Sequence, residues 1–221
     1  MSIRDNLRRV QERIEAACQR AGRSPDEVTL VGVTKTVGPD AVIEAYEAGL
    51  RDFGENRVQE AVAKIDTVAQ LGVEARWHLI GHLQTNKVKL AAGCFGIIHS
   101  VDSVRLSREI SRRYESDVPV LLEVNVAQDP AKFGFAPEEV AAALREIAVL
   151  PHLDVRGLMT IAPITTNPDE TRPTFRRLRE LRDDLALAEL SMGMSGDFEV
   201  AIEEGATMVR VGTAIFGPRD K

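Results

Sequence analysis

Val28-Thr29-Leu30-Val31-Gly32-Val33-Thr34 is a short β-branched and apolar run that stops at Lys35 and gives way, after a few loop residues, to a stretch of helical period at 39–48. Short apolar runs bounded by turn residues read as strands, and longer runs with apolar positions three and four apart read as helices. The pattern then recurs along the chain. Further strand candidates lie at 52–55, 76–80, 96–101, 119–126, 155–161, 190–194 and 208–215, with helix candidates at 58–69, 86–92, 103–114, 137–150, 170–187 and 198–205. Eight strands separated by helical crossovers predict an α/β protein with a parallel sheet, either open and doubly wound or closed as a (β/α)8 TIM barrel. No G-x-G-x-x-G follows the first strand and no G-x-x-x-x-G-K-[ST] occurs, which removes the dinucleotide-binding and P-loop versions of the open sheet. The 221 residues suit the lower end of the barrel's range. A single barrel is the expectation.

Residues 1–23 add an N-terminal helix. Ser2 stands three residues before Asp5 as a cap, and Ile3, Leu7, Val10, Ile14 and Cys18 form one apolar stripe. Asp5, Glu12 and Glu15 interrupt its arginines, which argues for a mature helix over a targeting presequence. The stripe predicts packing on the chain's own barrel, since a dimerising coiled coil needs more heptads. No low-complexity or Pro/Gly-rich linker divides the sequence, so residues 1–221 are expected to form one domain.

Hydrophobic residues make up 44% and charged residues 28%, and mean hydropathy is −0.13. These values fit a soluble globular chain and neither a disordered nor a membrane protein. A net charge of −6 gives no general attraction to phosphate backbones or anionic lipid, so neither nucleic acid nor membrane is an expected partner. Cys18 and Cys94 lack the spacing of a zinc pair and read as reduced thiols of a cytoplasmic protein. His78 and His82 have no third ligand spaced beside them, so packing and hydrogen bonding are their expected duties and no metal is expected.

Reactive residues of a barrel sit at the C-terminal ends of its strands. Lys35 closes the first strand at the edge of an apolar pocket, where desolvation favours the neutral amine that Schiff-base chemistry needs; a lysine merely reaching solvent is the ordinary alternative. After the seventh and eighth strands come Met194-Ser195-Gly196-Asp197 and Val211-Gly212-Thr213-Ala214. Barrels commonly bind phosphate there, through free backbone N–H groups, with glycine permitting close approach and unusual backbone angles. Closure sets strand eight beside strand one, which brings Lys35 next to this cradle. Alternation along strand eight sends Val209 and Val211 outward and Arg210 inward, where its charge must be paired or bound. Glu123 and Asn125 point inward from strand five, so an Arg210–Glu123 ion pair and direct ligand contact are both open. Asn56, in Asp52-Phe53-Gly54-Glu55-Asn56-Arg57, faces the same rim or caps the next helix.

Taken together and in order, several segments resemble the pyridoxal phosphate homeostasis proteins, single barrels similar to the N-terminal domain of alanine racemase. They are Val33-Thr34-Lys35-Thr36, residues 52–60, residues 77–87, His99-Ser100-Val101-Asp102-Ser103, Lys132-Phe133-Gly134, Gly157-Leu158-Met159, residues 190–197 and residues 209–217. The resemblance implies that Lys35 holds pyridoxal 5′-phosphate as a Schiff base and that Ser195, Gly212 and Thr213 hold its phosphate. It further implies that Arg210 lies near the pyridine ring, with Asn56 and Met159 lining the pocket. Leu79 departs from the pattern, which favours an aromatic residue or methionine there. The connection from Leu187 to Leu190 is also shorter than the family pattern.

Three functions compete. A racemase or decarboxylase needs a second acid/base; in racemases of this fold that tyrosine comes from an additional β domain, for which the chain is too short. Tyr46 and Tyr114 fall in outer helices, and an arginine beside the pyridine nitrogen would weaken the ring as an electron sink. A non-catalytic carrier or buffer of vitamin B6 that also affects amino-acid pools is what the resemblance implies, as a monomer making transient contact with pyridoxal phosphate-dependent enzymes. The third is a barrel aldolase using Lys35 on a phosphosugar.

Overall fold

Thr29 pairs with Met208 and Val31 with Asp52, so the first strand is bonded in parallel to both the last strand and the second. In the computed structural model, which describes residues 2–218, this closes an eight-stranded parallel barrel in sequence order. Its strands are β1 (Thr29–Val33), β2 (Asp52–Glu55), β3 (Arg76–Leu79), β4 (Ile97–Val101), β5 (Val118–Glu123), β6 (Leu153–Met159), β7 (Glu189–Met194) and β8 (Met208–Val211). The helices are α1 (Ile3–Ala21), α2 (Pro39–Glu47), α3 (Val58–Gln70), α4 (Val88–Ala91), α5 (Val104–Arg113), α6 (Val140–Ile147), α7 (Arg172–Asp184), α8 (Phe198–Glu203) and α9 (Thr213–Phe216). Met1 and residues 219–221 of the expected domain lie outside the described residues.

Alternation along each strand divides the core in two. Outward residues such as Phe53, Trp77, Ile98, Leu122, Leu158, Leu190 and Val209 join the large cluster beneath the helices. A small separate cluster, Ile97, Leu121, Met159 and Met208, fills the barrel interior. Helix α1 belongs to the outer layer. Ser2 caps it by accepting the Asp5 N–H, and the stripe Leu7, Val10, Ile14 and Cys18 is buried. The helix lies against α2, α8 and α9, where Arg13 grips Glu199 and the Asn6 side chain donates to the Ile215 carbonyl at 2.8 Å.

Several boundaries differ from the sequence reading, each for a local reason. Strand β8 ends at Val211 and not at 215, because the Gly212 carbonyl accepts the N–H groups of both Ile215 and Phe216 and starts α9. Strand β5 stops at Glu123, after which Phe135 returns to bond the Glu123 carbonyl and occupy the ladder. Helix α7 ends at Asp184 and not at 187; the short connection turns through Ala186 at φ 52°. The stretch at 86–92 is a single tight turn, Thr85–Lys87, leading into the one-turn α4.

Candidate functional site

The end of β1 is held more firmly than a strand end requires. Thr34 is buried; its N–H donates to the Gly54 carbonyl at 3.0 Å and its hydroxyl to Glu55 Oε1 at 2.7 Å. Lys64 donates to that same carboxylate oxygen and to the Thr34 carbonyl, each at 2.6 Å. Two residues on, Thr36 sits at φ 66°, a left-handed conformation that a β-branched residue adopts only where its surroundings impose it. Between these fixed points Lys35 is half-buried. It lines two adjoining cavities of about 260 and 280 Å³. Asn56, Ile161, Ser195, Arg210, Gly212 and Thr213 share the first with it, and Thr36, Gly212, Thr213 and Phe216 share the second.

The loops after β7 and β8 meet at one hydroxyl. Ser195 Oγ accepts the backbone N–H of Gly212 at 3.2 Å and of Ala214 at 3.4 Å, so two main-chain donors converge beside Lys35. Ala214 was not singled out by the sequence, because its role depends on α9 beginning at Thr213 in place of a longer strand. Gly212 needs no unusual angle, with φ at −111°. The packing there is tight: a Cβ would stand 3.3 Å from both Cβ and the carbonyl oxygen of Val33, which would have to give by a few tenths of an ångström.

Arg210 points inward, as alternation requires, and is almost fully buried. Of the two roles left open for Arg210, the ion pair with Glu123 is not among the contacts of the described residues. The guanidinium donates instead to Ser191 Oγ on the neighbouring strand β7 at 2.5 Å and to the carbonyl of Thr160, just past the end of β6, at 2.9 Å. Burial pulls Arg210 down to about 10, against the opposing pull of Glu123 and Asp197, which leaves it a cation at neutral pH. Burial and the nearby Asp102 push Glu123 up to about 7, with Arg210 acting the other way. Asn125 lies beyond β5 and turns to its own loop, donating to the Asp129 carbonyl at 2.8 Å.

Of the other expected residues, Asn56 lines the cavity and does not cap α3, whose N-cap is Arg57. Its Oδ1 is buried with no hydrogen-bond partner among the described residues. Met159 lies in the barrel interior with Ile97, Leu121 and Met208, and is not among the residues lining the cavity. Leu79 faces the outer layer, so its departure from the family pattern leaves the cavity wall unchanged. His82 and His78 do pack and bond. His82 stacks on Phe133 at 3.7 Å between ring centres and meets Asp102 at 2.9 Å; His78 lies inside the barrel, 2.9 Å from Asp52.

The eight parallel strands close into one barrel, and the sequence matches the family described as "Alanine racemase, N-terminal domain" over residues 3–220, which sets the class of protein. Pyridoxal phosphate homeostasis proteins of Aquifex aeolicus and Pseudomonas aeruginosa are 49% and 46% identical to it. The alignments cover 99% of this chain in both cases, and 99% and 96% of those proteins. The chain belongs to the pyridoxal phosphate homeostasis protein family. PipY of Synechococcus elongatus, solved with PLP bound, superposes with a TM-score of 0.81 at 38% identity, over 94% of this chain and 100% of that one. An alanine racemase of Clostridium difficile is 16% identical with a TM-score of 0.72; 98% of this chain covers 57% of that one, a likeness of fold alone.

Proposed function

We propose that the protein binds pyridoxal 5′-phosphate and serves vitamin B6 homeostasis as a non-catalytic carrier or buffer that also affects amino-acid pools. The observation that carries this reading is that Lys35 lines the same cavity as the Ser195 and Gly212 turns, an amine and an anion cradle facing one space. The residues fit the group. Asn56 Oδ1, buried without a hydrogen-bond partner among the described residues, is an acceptor that a ligand donor could satisfy. The structure of PipY with PLP bound, at 38% identity, supports the same ligand.

When bound, the cofactor supplies an aldehyde for covalent capture and a phosphate dianion. Lys35 offers the amine for the aldehyde. Ser195, Gly212 and Thr213 would hold the phosphate, aided by the Ala214 N–H. Arg210 would meet the ring nitrogen, Asn56 the ring's polar edge, and Met159 would support the site from inside the barrel.

Several features favour a carrier over a racemase. Tyr46 lies in α2, the Tyr114 hydroxyl donates to the Ala91 carbonyl at 3.2 Å, and neither residue lines the cavity. A buried guanidinium held as a cation also disfavours a second positive charge at its side. The described residues 2–218 are read as one unit of the domain expected over 1–221, since α1 is packed into the barrel's outer layer. That packing uses up the apolar stripe and favours a monomer. No described helix is long and apolar enough to cross a membrane. We place the protein in the cytoplasm, in transient contact with pyridoxal phosphate-dependent enzymes.

Incubation with pyridoxal 5′-phosphate, desalting, borohydride reduction and peptide mapping test the reading. A visible absorbance that survives desalting and a reduced adduct on Lys35 are expected, without racemisation of amino acids. A protein that stays colourless, or an adduct spread over surface lysines, overturns it.

A further inference from the structure

Inside the barrel, below the cavity, polar side chains from five strands touch in series. Arg210 Nη1 lies 2.5 Å from Ser191 Oγ, which lies 2.8 Å from His99 Nδ1. His99 Nε2 is 2.9 Å from His78 Nδ1, and His78 Nε2 is 2.9 Å from Asp52 Oδ1. All five residues are buried. We propose that these side chains form one proton-ordered chain, donating in a single direction from Arg210 through Ser191, His99 and His78 to Asp52, which fixes the Arg210 guanidinium against the cavity.

The direction follows from the two ends. A guanidinium has only donors and a carboxylate only acceptors. Because Ser191 Oγ accepts from Arg210, its own proton is free to go to His99 Nδ1. That nitrogen then presents its lone pair, so a neutral His99 carries its proton on Nε2 and donates to His78 Nδ1. By the same step His78 carries its proton on Nε2 and donates to Asp52, whose second oxygen accepts from Arg76 at 3.0 Å. Each ring nitrogen is used once and none is left unsatisfied.

The opposite order fails at the carboxylate. His99 would donate from Nδ1 to Ser191 and His78 from Nδ1 to His99, leaving the bare Nε2 of His78 facing Asp52 Oδ1 at 2.9 Å, acceptor against acceptor. Only an extra proton on His78 would mend that, adding a second buried cation to a barrel that already contains Arg210. His99 itself resists charging, since burial, His78 and Arg210 all hold it well below the usual imidazole range. With Nη1 on Ser191 and Nη2 on the Thr160 carbonyl, two guanidinium nitrogens are spoken for and its plane is fixed. Ser191, His99 and His78 do not line the cavity, so they act as positioning residues for Arg210.

Long-range 15N–1H NMR of the histidine side chains in the full-length protein at neutral pH reads the order directly. His78 and His99 should both be neutral, with the proton on Nε2. Ser191→Ala should alter the ring signals of His78 as well as His99, although Ser191 does not touch His78, and Ser191→Thr should restore both. An Nδ1-protonated or charged ring on either histidine in the unsubstituted protein overturns the proposal, as does a Ser191→Ala spectrum in which His78 is unmoved. The unsubstituted spectrum decides the order even if a variant fails to fold. No cofactor enters the measurement, so its failure and the failure of the cofactor reading are separate results.

Discussion

The Ser195 hydroxyl oxygen lies 3.2 Å from the backbone nitrogen of Gly212, so the loop after β7 is bonded to the loop after β8 in the cavity that Lys35 also lines. Ser195→Ala removes the hydroxyl and leaves the main-chain donors. A single hydrogen bond to a charged acceptor is worth roughly 1.5–3 kcal/mol, so affinity for pyridoxal 5′-phosphate should fall about ten- to a hundredfold. Titration with unphosphorylated pyridoxal should show little change. Equal losses for both aldehydes would place the phosphate elsewhere.

Gly212→Val should cost more affinity than Ser195→Ala. The new Cβ would stand 3.3 Å from Val33 Cβ and carbonyl, and the γ-branches would have to enter either β1 or the cradle. Comparative titration checks the order of the two variants, with circular dichroism confirming that the barrel persists. A Gly212→Val protein binding as tightly as the parent would show that the loop does not approach the ligand.

Lys35→Ala should remove the visible absorbance of the protein incubated with pyridoxal 5′-phosphate while leaving the fold. The side chain is only half-buried, and the turn that carries it is held by Thr34, Glu55 and Lys64. Absorbance after desalting and the far-ultraviolet spectrum measure both halves of the expectation; an unchanged colour would assign the covalent contact to another amine.

Leu7→Ala tests whether α1 is part of the cooperative unit. Leu7 is 1% exposed in the outer layer of the core. Truncation of such a side chain costs about 2–5 kcal/mol, which urea unfolding should report as a lowered midpoint of one transition. A change within about 0.5 kcal/mol, as for a surface position, would mean that the helix docks weakly.

Glu123 sets a pH dependence. Its folded-state value is raised from 4.5 to about 7, so between those limits the folded protein holds a proton that the unfolded chain has lost. Stability from this group is therefore fully present below pH 4.5 and declines as pH rises toward 7, by on the order of 3 kcal/mol. Glu123→Gln keeps the neutral shape and should flatten that part of the stability profile, raising stability at neutral pH. Urea midpoints measured at several pH values check the slope; parallel profiles for the two proteins would exclude Glu123 as its source.

Arg210 shows how far the sequence could be read, and where it stopped. Period-2 alternation in Met208-Val209-Arg210-Val211 sends its side chain inward whatever the neighbours are, because successive side chains of a strand leave opposite faces. The same rule applied to Trp77-His78-Leu79 and Leu190-Ser191-Met192 would have turned His78 and Ser191 inward too. It could not have chosen Ser191 over Glu123 as the partner of Arg210. That choice depends on distances across a closed barrel, set by strand stagger and invisible along any one strand.

The sequence by itself determined the eight-fold alternation of strand and helix and the burial of α1's stripe, since hydrophobic period and turn chemistry are local properties. Tertiary structure alone decided that β8 stops at Val211, that the Ala214 N–H joins Ser195, that Asn56 Oδ1 is left without a partner among the described residues and that Met159 sits within the barrel. Each of these depends on atoms far apart in the chain competing for the same space and the same hydrogen bonds, and only the closed barrel brings those competitors together.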